Sequence, residues 1–155
     1  MNTFGKKDKN MNENDQMIDK SGISACIGIK TPDDKILTIY CTVNGYPEST
    51  GKTLLKHYNN EDKIMNLIKL GDISDLQETC ESTVARFRDL HEPWSQCSHD
   101  TYLTKTDYMI GSECDGAEYA YMWDNGKWKV YEFDMYNCKR KFADLSDVLS
   151  QEQER

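Results

Sequence analysis

The sequence predicts an α+β domain: an antiparallel sheet of four to five strands with two consecutive helices packed on one face. Three observations carry this. Residues 23–30 and 36–43 alternate apolar and polar with period two, the signature of half-buried strands. Between residues 54 and 70 the apolar residues fall instead at helical spacing. Near the C-terminal end, Asn125-Gly126 separates two aromatic-rich runs and is the preferred two-residue type I′ hairpin turn.

In order along the chain, Ile23, Ala25, Ile27 and Ile29 form one side of a first strand, with Ser24, Cys26, Gly28 and Lys30 on the other. Thr31-Pro32-Asp33-Asp34-Lys35 reads as a turn. A second strand follows, with Leu37, Ile39, Cys41 and Val43 on one face and Thr38, Tyr40 and Thr42 on the other. The short polar connection makes the two an antiparallel hairpin. Because the threonines and Tyr40 alternate outward, this side of the sheet is expected to be partly open and is a candidate homodimer surface.

Pro47 ends the second strand and suits the first turn of a helix, whose apolar side is Leu54, Leu55 and Tyr58. Asn59-Asn60 breaks that helix and caps another, with Glu61 and Asp62 in its first turn, where the helix dipole favours acids. Ile64, Met65, Leu67 and Ile68 are its apolar stripe, and Gly71 falls where a left-handed C-cap belongs. Val84-Ala85-Arg86-Phe87-Arg88 reads as a short strand, and residues 89–105 as a long polar loop of the kind often used for binding. In the closing hairpin, over 119–133, the register places Trp123 opposite Trp128 and Tyr121 opposite Val130. Tyr119 shares their face, and Ala120, Met122, Lys129 and Tyr131 share the other. Leu145, Val148 and Leu149 mark one last helical turn.

A chain of 155 residues fits one domain, expected over 21–150. Residues 1–20 contain no large aliphatic side chain except Ile18 and read as a disordered tail; 151–155 should fray. No signal-peptide core and no run of about 18 apolar residues is present, so the expectation is a soluble, intracellular protein with no membrane contact. The net charge is −8 and is uneven: 1–20 carry net 0, 21–70 net +1 and 71–155 net −9. An acidic second half repels nucleic acid and steers toward basic partners. Asp72, Asp75, Glu78 and Glu81 are the candidate binding acids on that surface.

The six cysteines, at 26, 41, 80, 97, 114 and 138, include no Cys-x-x-Cys pair and suggest no disulfide framework. Cys26 and Cys41 read as small core residues. Cys80, His91, Cys97, His99 and Cys114 are spaced too irregularly for a zinc site, and no metal or cofactor is expected. Cys41 with His57, or Cys97 with His91 and His99, are the residue types of a thiol nucleophile and its base. The run from Gly45 to Gly51-Lys52-Thr53 resembles a phosphate loop, yet has five residues between its glycines where that loop has four. Pro47 also removes a donor. The alternative function is therefore anion or nucleotide binding without hydrolysis, by Asn44, Gly45, Tyr46, Gly51 and Lys52.

A set of short motifs is similar to the signature of a family of small uncharacterised bacteriophage and prophage proteins. It comprises Tyr40-Cys41, Gly45-Tyr46-Pro47, Gly51, Leu54-Leu55 and His57-Tyr58, then Leu67-Ile68 to Gly71-Asp72-Ile73-Ser74. Thr83-Val84-Ala85 with Arg88-Asp89, and Glu118-Tyr119-Ala120-Tyr121 with Gly126-Lys127-Trp128, complete it. The resemblance spans about 21–133. The family often follows its Arg-Asp pair with Arg-Gly-Glu-Asp, where this chain has Leu90-His91-Glu92-Pro93. The resemblance implies a phage-encoded protein in the cytoplasm of a bacterial host, and no established reaction. Accessory phage proteins frequently disarm host defences. With the acidity and the lack of an assembled catalytic motif, the resulting expectation is an inhibitor that binds a host protein with a basic nucleic-acid groove (a nuclease, restriction or CRISPR effector) by nucleic-acid mimicry and contacts no nucleic acid itself.

Overall fold

The structure, a computed structural model, describes residues 22–133 and 142–153; the tail expected over 1–20 and the last two residues lie outside them. The architecture is α+β, with six strands among the described residues: β1 (Ala25–Lys30), β2 (Ile36–Cys41), β3 (Asp100–Tyr102), β4 (Tyr119–Asp124), β5 (Lys127–Glu132) and β6 (Ala143–Asp144). They form one sheet in the order β3-β2-β1-β4-β5-β6. Every pairing is antiparallel except β1 with β4, which run parallel with Ala25 opposite Tyr119.

Both expected hairpins form. β1 and β2 turn where Asp34 takes a left-handed φ of 67°, closed by Thr31 N–H donating to the Lys35 carbonyl (2.7 Å). β4 and β5 turn at Asn125 and Gly126, with φ of 56° and 80°, the two positive values that a type I′ turn requires. The register sets Trp123 against Trp128 and Tyr121 against Val130.

Among the described residues five helices surround the sheet: α1 (Lys52–His57), α2 (Glu61–Ile68), α3 (Trp94–Cys97), α4 (Lys105–Cys114) and α5 (Leu145–Gln153). A widened helical turn, Pro47–Gly51, leads into α1. The Asn60 side chain caps α2 by accepting from Lys63 N–H (2.9 Å). Gly71 follows with φ +77°, and a Cβ there would lie 2.3 Å from the Cys97 carbonyl oxygen, so only glycine fits this corner.

The main core is on the α1, α2 and α5 side. Leu54, Tyr58, Ile64, Leu67, Ile68, Leu145 and Leu149 join Ala25, Ile27, Ile29, Ile39, Cys41, Tyr121, Trp123, Trp128 and Val130 in one buried cluster. Each such large apolar side chain contributes roughly 1.5–3 kcal/mol when fully buried. Trp128 Nε1–H donates to the Tyr58 carbonyl (2.8 Å), tying the hairpin to the end of α1.

The second face differs from expectation. It is covered by α4, whose Tyr108 and Met109 pack with Cys26, Ile36, Ala120, Met122 and Tyr131. Thr38 is buried there, its hydroxyl donating to the Ile27 carbonyl (3.0 Å). The outward Thr38 is thus a small residue under a helix, while Tyr40 and Thr42 farther along the strand stay partly exposed. The long loop expected over 89–105 contains α3 and β3, and the strand expected at 84–88 reduces to a single bridge between Ile73 and Ala85.

Candidate interaction surface

The edge of β2 changes partner along its length. Ile36, Leu37 and Thr38 pair with β3. Beyond them, Tyr40 N–H donates to the Asp72 carboxylate (2.9 Å), and Ile73 N–H donates to the Tyr40 carbonyl (2.8 Å). Asp72 thus stands in for a strand residue where β3 stops and the parallel bridge of Cys41 with Ile73 begins. Its own N–H donates to the Cys97 carbonyl (2.7 Å), and its carbonyl accepts from Arg86 N–H (3.0 Å). One residue holds the sheet edge, the 83–94 segment and the end of α3 together.

The 83–94 segment is a knuckle locked by two arginine–carboxylate pairs. Arg86 binds Glu92 through Nε (3.1 Å) and Nη2 (2.8 Å). Arg88 Nη2 donates to Asp89 (2.8 Å) and to the Thr83 carbonyl (2.6 Å). Asp89 in turn accepts from Ala85 N–H (2.8 Å), and the Arg88 guanidinium holds its carboxyl below the usual carboxylate range. Forked geometry of this kind fixes direction as well as distance. The side-chain acceptor at Ala85 N–H closes a turn, which is why this segment does not extend as a strand. His91 sits at its crest with φ +61°.

The locked segment displays apolar groups to solvent. Among the described residues six large apolar side chains are exposed, and four belong here: Val84 (38%), Phe87 (47%), Leu90 (49%) and Trp94 (40%). Phe87 and Trp94 meet edge to face with centroids 5.2 Å apart. With Leu70, Lys69 and Arg88 they line a groove of about 510 Å³. A concentrated, preorganised aromatic patch is the signature of a binding surface.

Acids gather at the sheet end that Asp72 joins to the knuckle. Glu48, Asp72, Asp75, Asp100, Asp115, Glu118 and Glu132 all fall at the sheet end where β1 and β4 begin and β2 and β5 stop. Burial, together with Asp115, Asp72 and Asp100, pushes the Cys26 thiol up to about 12. Burial, together with Glu132, Glu48 and Glu118, does the same for the Tyr119 phenol. Asp72 has its carboxyl raised to about 6, chiefly by burial and further by Asp100 and Asp115, against the opposing pull of Tyr40 N–H and Arg86.

The four acids singled out in the sequence do not act as one patch. Asp72 is half-buried in the junction. Asp75 accepts from the Asn44 side-chain amide (3.0 Å). Glu78 and Glu81 are exposed, and they line a separate cleft of about 430 Å³ with His57, Lys63 and Cys80; Glu78 lies 3.7 Å from His57 Nε2.

The loop from Asn44 to Lys52 is engaged by the fold. Gly45 N–H donates to the Ile23 carbonyl (2.8 Å), and its carbonyl accepts from the Tyr121 hydroxyl (2.7 Å). A Cβ at Gly45 would lie 2.8 Å from Ala25 N. The Asn44 carbonyl accepts from Thr50 Oγ1 (2.8 Å), and Lys52 N–H points back to Pro47 and Ser49. Gly51 is buried against Leu145 and Tyr121, Tyr46 is half-buried, and the Lys52 side chain is exposed. The Gly45 and Lys52 N–H groups and the Asn44 amide are thus bonded within the fold.

Burial holds the Cys41 thiol up at about 11, so it is protonated at neutral pH. Among the described residues no group of three or more His, Cys, Asp or Glu side chains is placed to hold a metal ion; Cys138 lies outside them. The knuckle had a signal in the sequence: two arginines and two acids alternating with Phe87, Leu90 and Trp94, a density of both charge and aromatics that a plain loop does not need.

Fold and surface together describe an α+β domain that presents one rigid apolar knuckle at the edge of an acidic sheet end. No protein-family model, curated protein or solved structure matches the chain.

Proposed function

We propose that this protein acts by binding another protein, and that it is a stoichiometric inhibitor of a host defence factor with a basic nucleic-acid groove. The observation that carries the reading is the knuckle. Phe87, Leu90 and Trp94 are exposed on a turn made rigid by Arg86–Glu92 and Arg88–Asp89, and the Arg86 N–H of that turn donates to the Asp72 carbonyl. An apolar anchor with a charged border is how protein interfaces are built. The acids of the neighbouring sheet end complement a groove that normally holds phosphates. The resemblance to phage proteins adds the setting, a bacterial host, and the defence target follows from it by association.

The test uses tagged protein, wild type and Trp94→Ala, against extract of a bacterial host, followed by nuclease assay of what is recovered. The reading requires a nuclease or effector subunit that wild type binds and inhibits. Its affinity should fall steeply with salt and drop about tenfold or more in the variant, the scale of an anchor residue. A partner held equally by Trp94→Ala, or one that shows no loss with salt, overturns it.

A further inference from the structure

We propose that Asp72 is a proton-sensitive clasp that sets how readily the knuckle detaches from the sheet. The inference concerns the knuckle on which the binding reading rests, but it is tested on the isolated chain.

Four backbone groups converge on this residue or its neighbour. Tyr40 N–H meets its carboxylate, its N–H reaches Cys97, Arg86 N–H reaches its carbonyl, and Ile73 N–H reaches Tyr40. The charged groups around the carboxylate come from every element packed on it. Asp100 opposes from the start of β3, and Asp115 from the turn after α4. The Cys26 thiol of β1 and the Cys97 thiol of α3 are titratable neighbours as well, both protonated and neutral. Arg86 attracts, but both its Nε and Nη2 already bind Glu92. Closing the junction therefore confines a carboxylate among like charges with a shared counter-ion.

The linkage has one sign. The carboxyl is raised from 3.8 to about 6 when the junction is closed, so the closed form binds the proton more tightly than the open form. The stabilisation this gives is fully present below about pH 4 and is lost as pH rises through about 6. Above that, the clasp is at its loosest and the knuckle opens most often. A basic partner surface seated beside Asp72 would reverse the effect by stabilising the carboxylate, so docking and closure reinforce each other.

The experiment is amide hydrogen exchange on the full chain between pH 5 and pH 7.5, corrected for intrinsic rates. The amides of Tyr40, Asp72, Ile73 and Arg86 should lose about tenfold in protection over this range, one pH unit of linked proton binding being a factor of ten, while Tyr121 and Val130 in the β4–β5 pair hold constant. Asp72→Asn, whose side-chain oxygen can still accept from Tyr40, should flatten the dependence. Should that variant fail to fold, carboxyl-carbon NMR of the wild type reads the same point: a midpoint for Asp72 near 6 supports the clasp. A midpoint near 4, or protection independent of pH, overturns it. Neither result depends on a partner being found.

Discussion

At one end of the sheet charges alternate in sign and pair. Lys30 sits 3.6 Å from Asp34 and 3.8 Å from Asp124, and Asp124 also meets Lys129 at 3.6 Å. At the other end Asp100 and Asp115 both repel Asp72, whose one nearby arginine is bound to Glu92, and Glu48, Glu118 and Glu132 gather near Tyr119. The first arrangement is what solubility alone produces. Among the described residues the second leaves repulsion uncompensated, and such a field is useful when something outside supplies the cations. The same polarity appears in the backbone: the paired end turns at an open Asn-Gly corner, while the acidic end is closed by Gly45 pressed against Ala25.

The comparison can be broken by substitution. Gly45→Ala should be the most damaging, because its Cβ would collide with backbone at Ala25 and Ser24. A loss of about 3 kcal/mol or more is expected by chemical denaturation. At the paired end Gly126→Ala meets no atom within 4 Å and bears only the left-handed φ, so about 1–2 kcal/mol is expected in the same assay.

Asp72→Asn should stabilise the protein by about 1 kcal/mol at pH 7.5, a figure discounted for partial exposure. The gain should disappear near pH 4, where the wild-type carboxyl is protonated; equal gains at both pH values would show that charge is not its source. Raising salt from about 20 to 300 mM should increase the melting temperature by a few degrees by screening the acidic end. In Asp72→Asn the increase should be smaller. Least of all, Asp124→Asn at the paired end should change stability by less than about 1 kcal/mol, the scale of a partly exposed ion pair.

Much of the scaffold was legible because local chemistry dictates it. The Asn125-Gly126 turn fixed a register that placed Trp123 against Trp128, and Asn60 and Gly71 marked the limits of α2. What escaped had weaker or non-local causes. β3 and β6, three and two residues long, are too short for period two to show. The parallel pairing of β1 with β4 spans most of the chain and leaves no local trace. α4 hid because its buried side is Tyr108, Met109 and Ser112 rather than an aliphatic stripe, with Gly111 inside it. The Thr104-x-x-Asp107 start, in which Thr104 Oγ1 accepts from Asp107 N–H (3.0 Å), could have revealed it. The acidic half was visible from composition, but composition could not separate Asp72 and Asp75, held in hydrogen bonds, from Glu78 and Glu81 in another cleft.

The brevity of β3 and β6 has a further consequence. A sheet edge is a template on which foreign strands can grow, and its danger scales with the number of consecutive free ladder groups. Here the two outer strands offer three residues and two, and Asp72 seals the β2 edge beyond β3. Stunted borders of this kind keep copies of the chain from joining edge to edge as it accumulates.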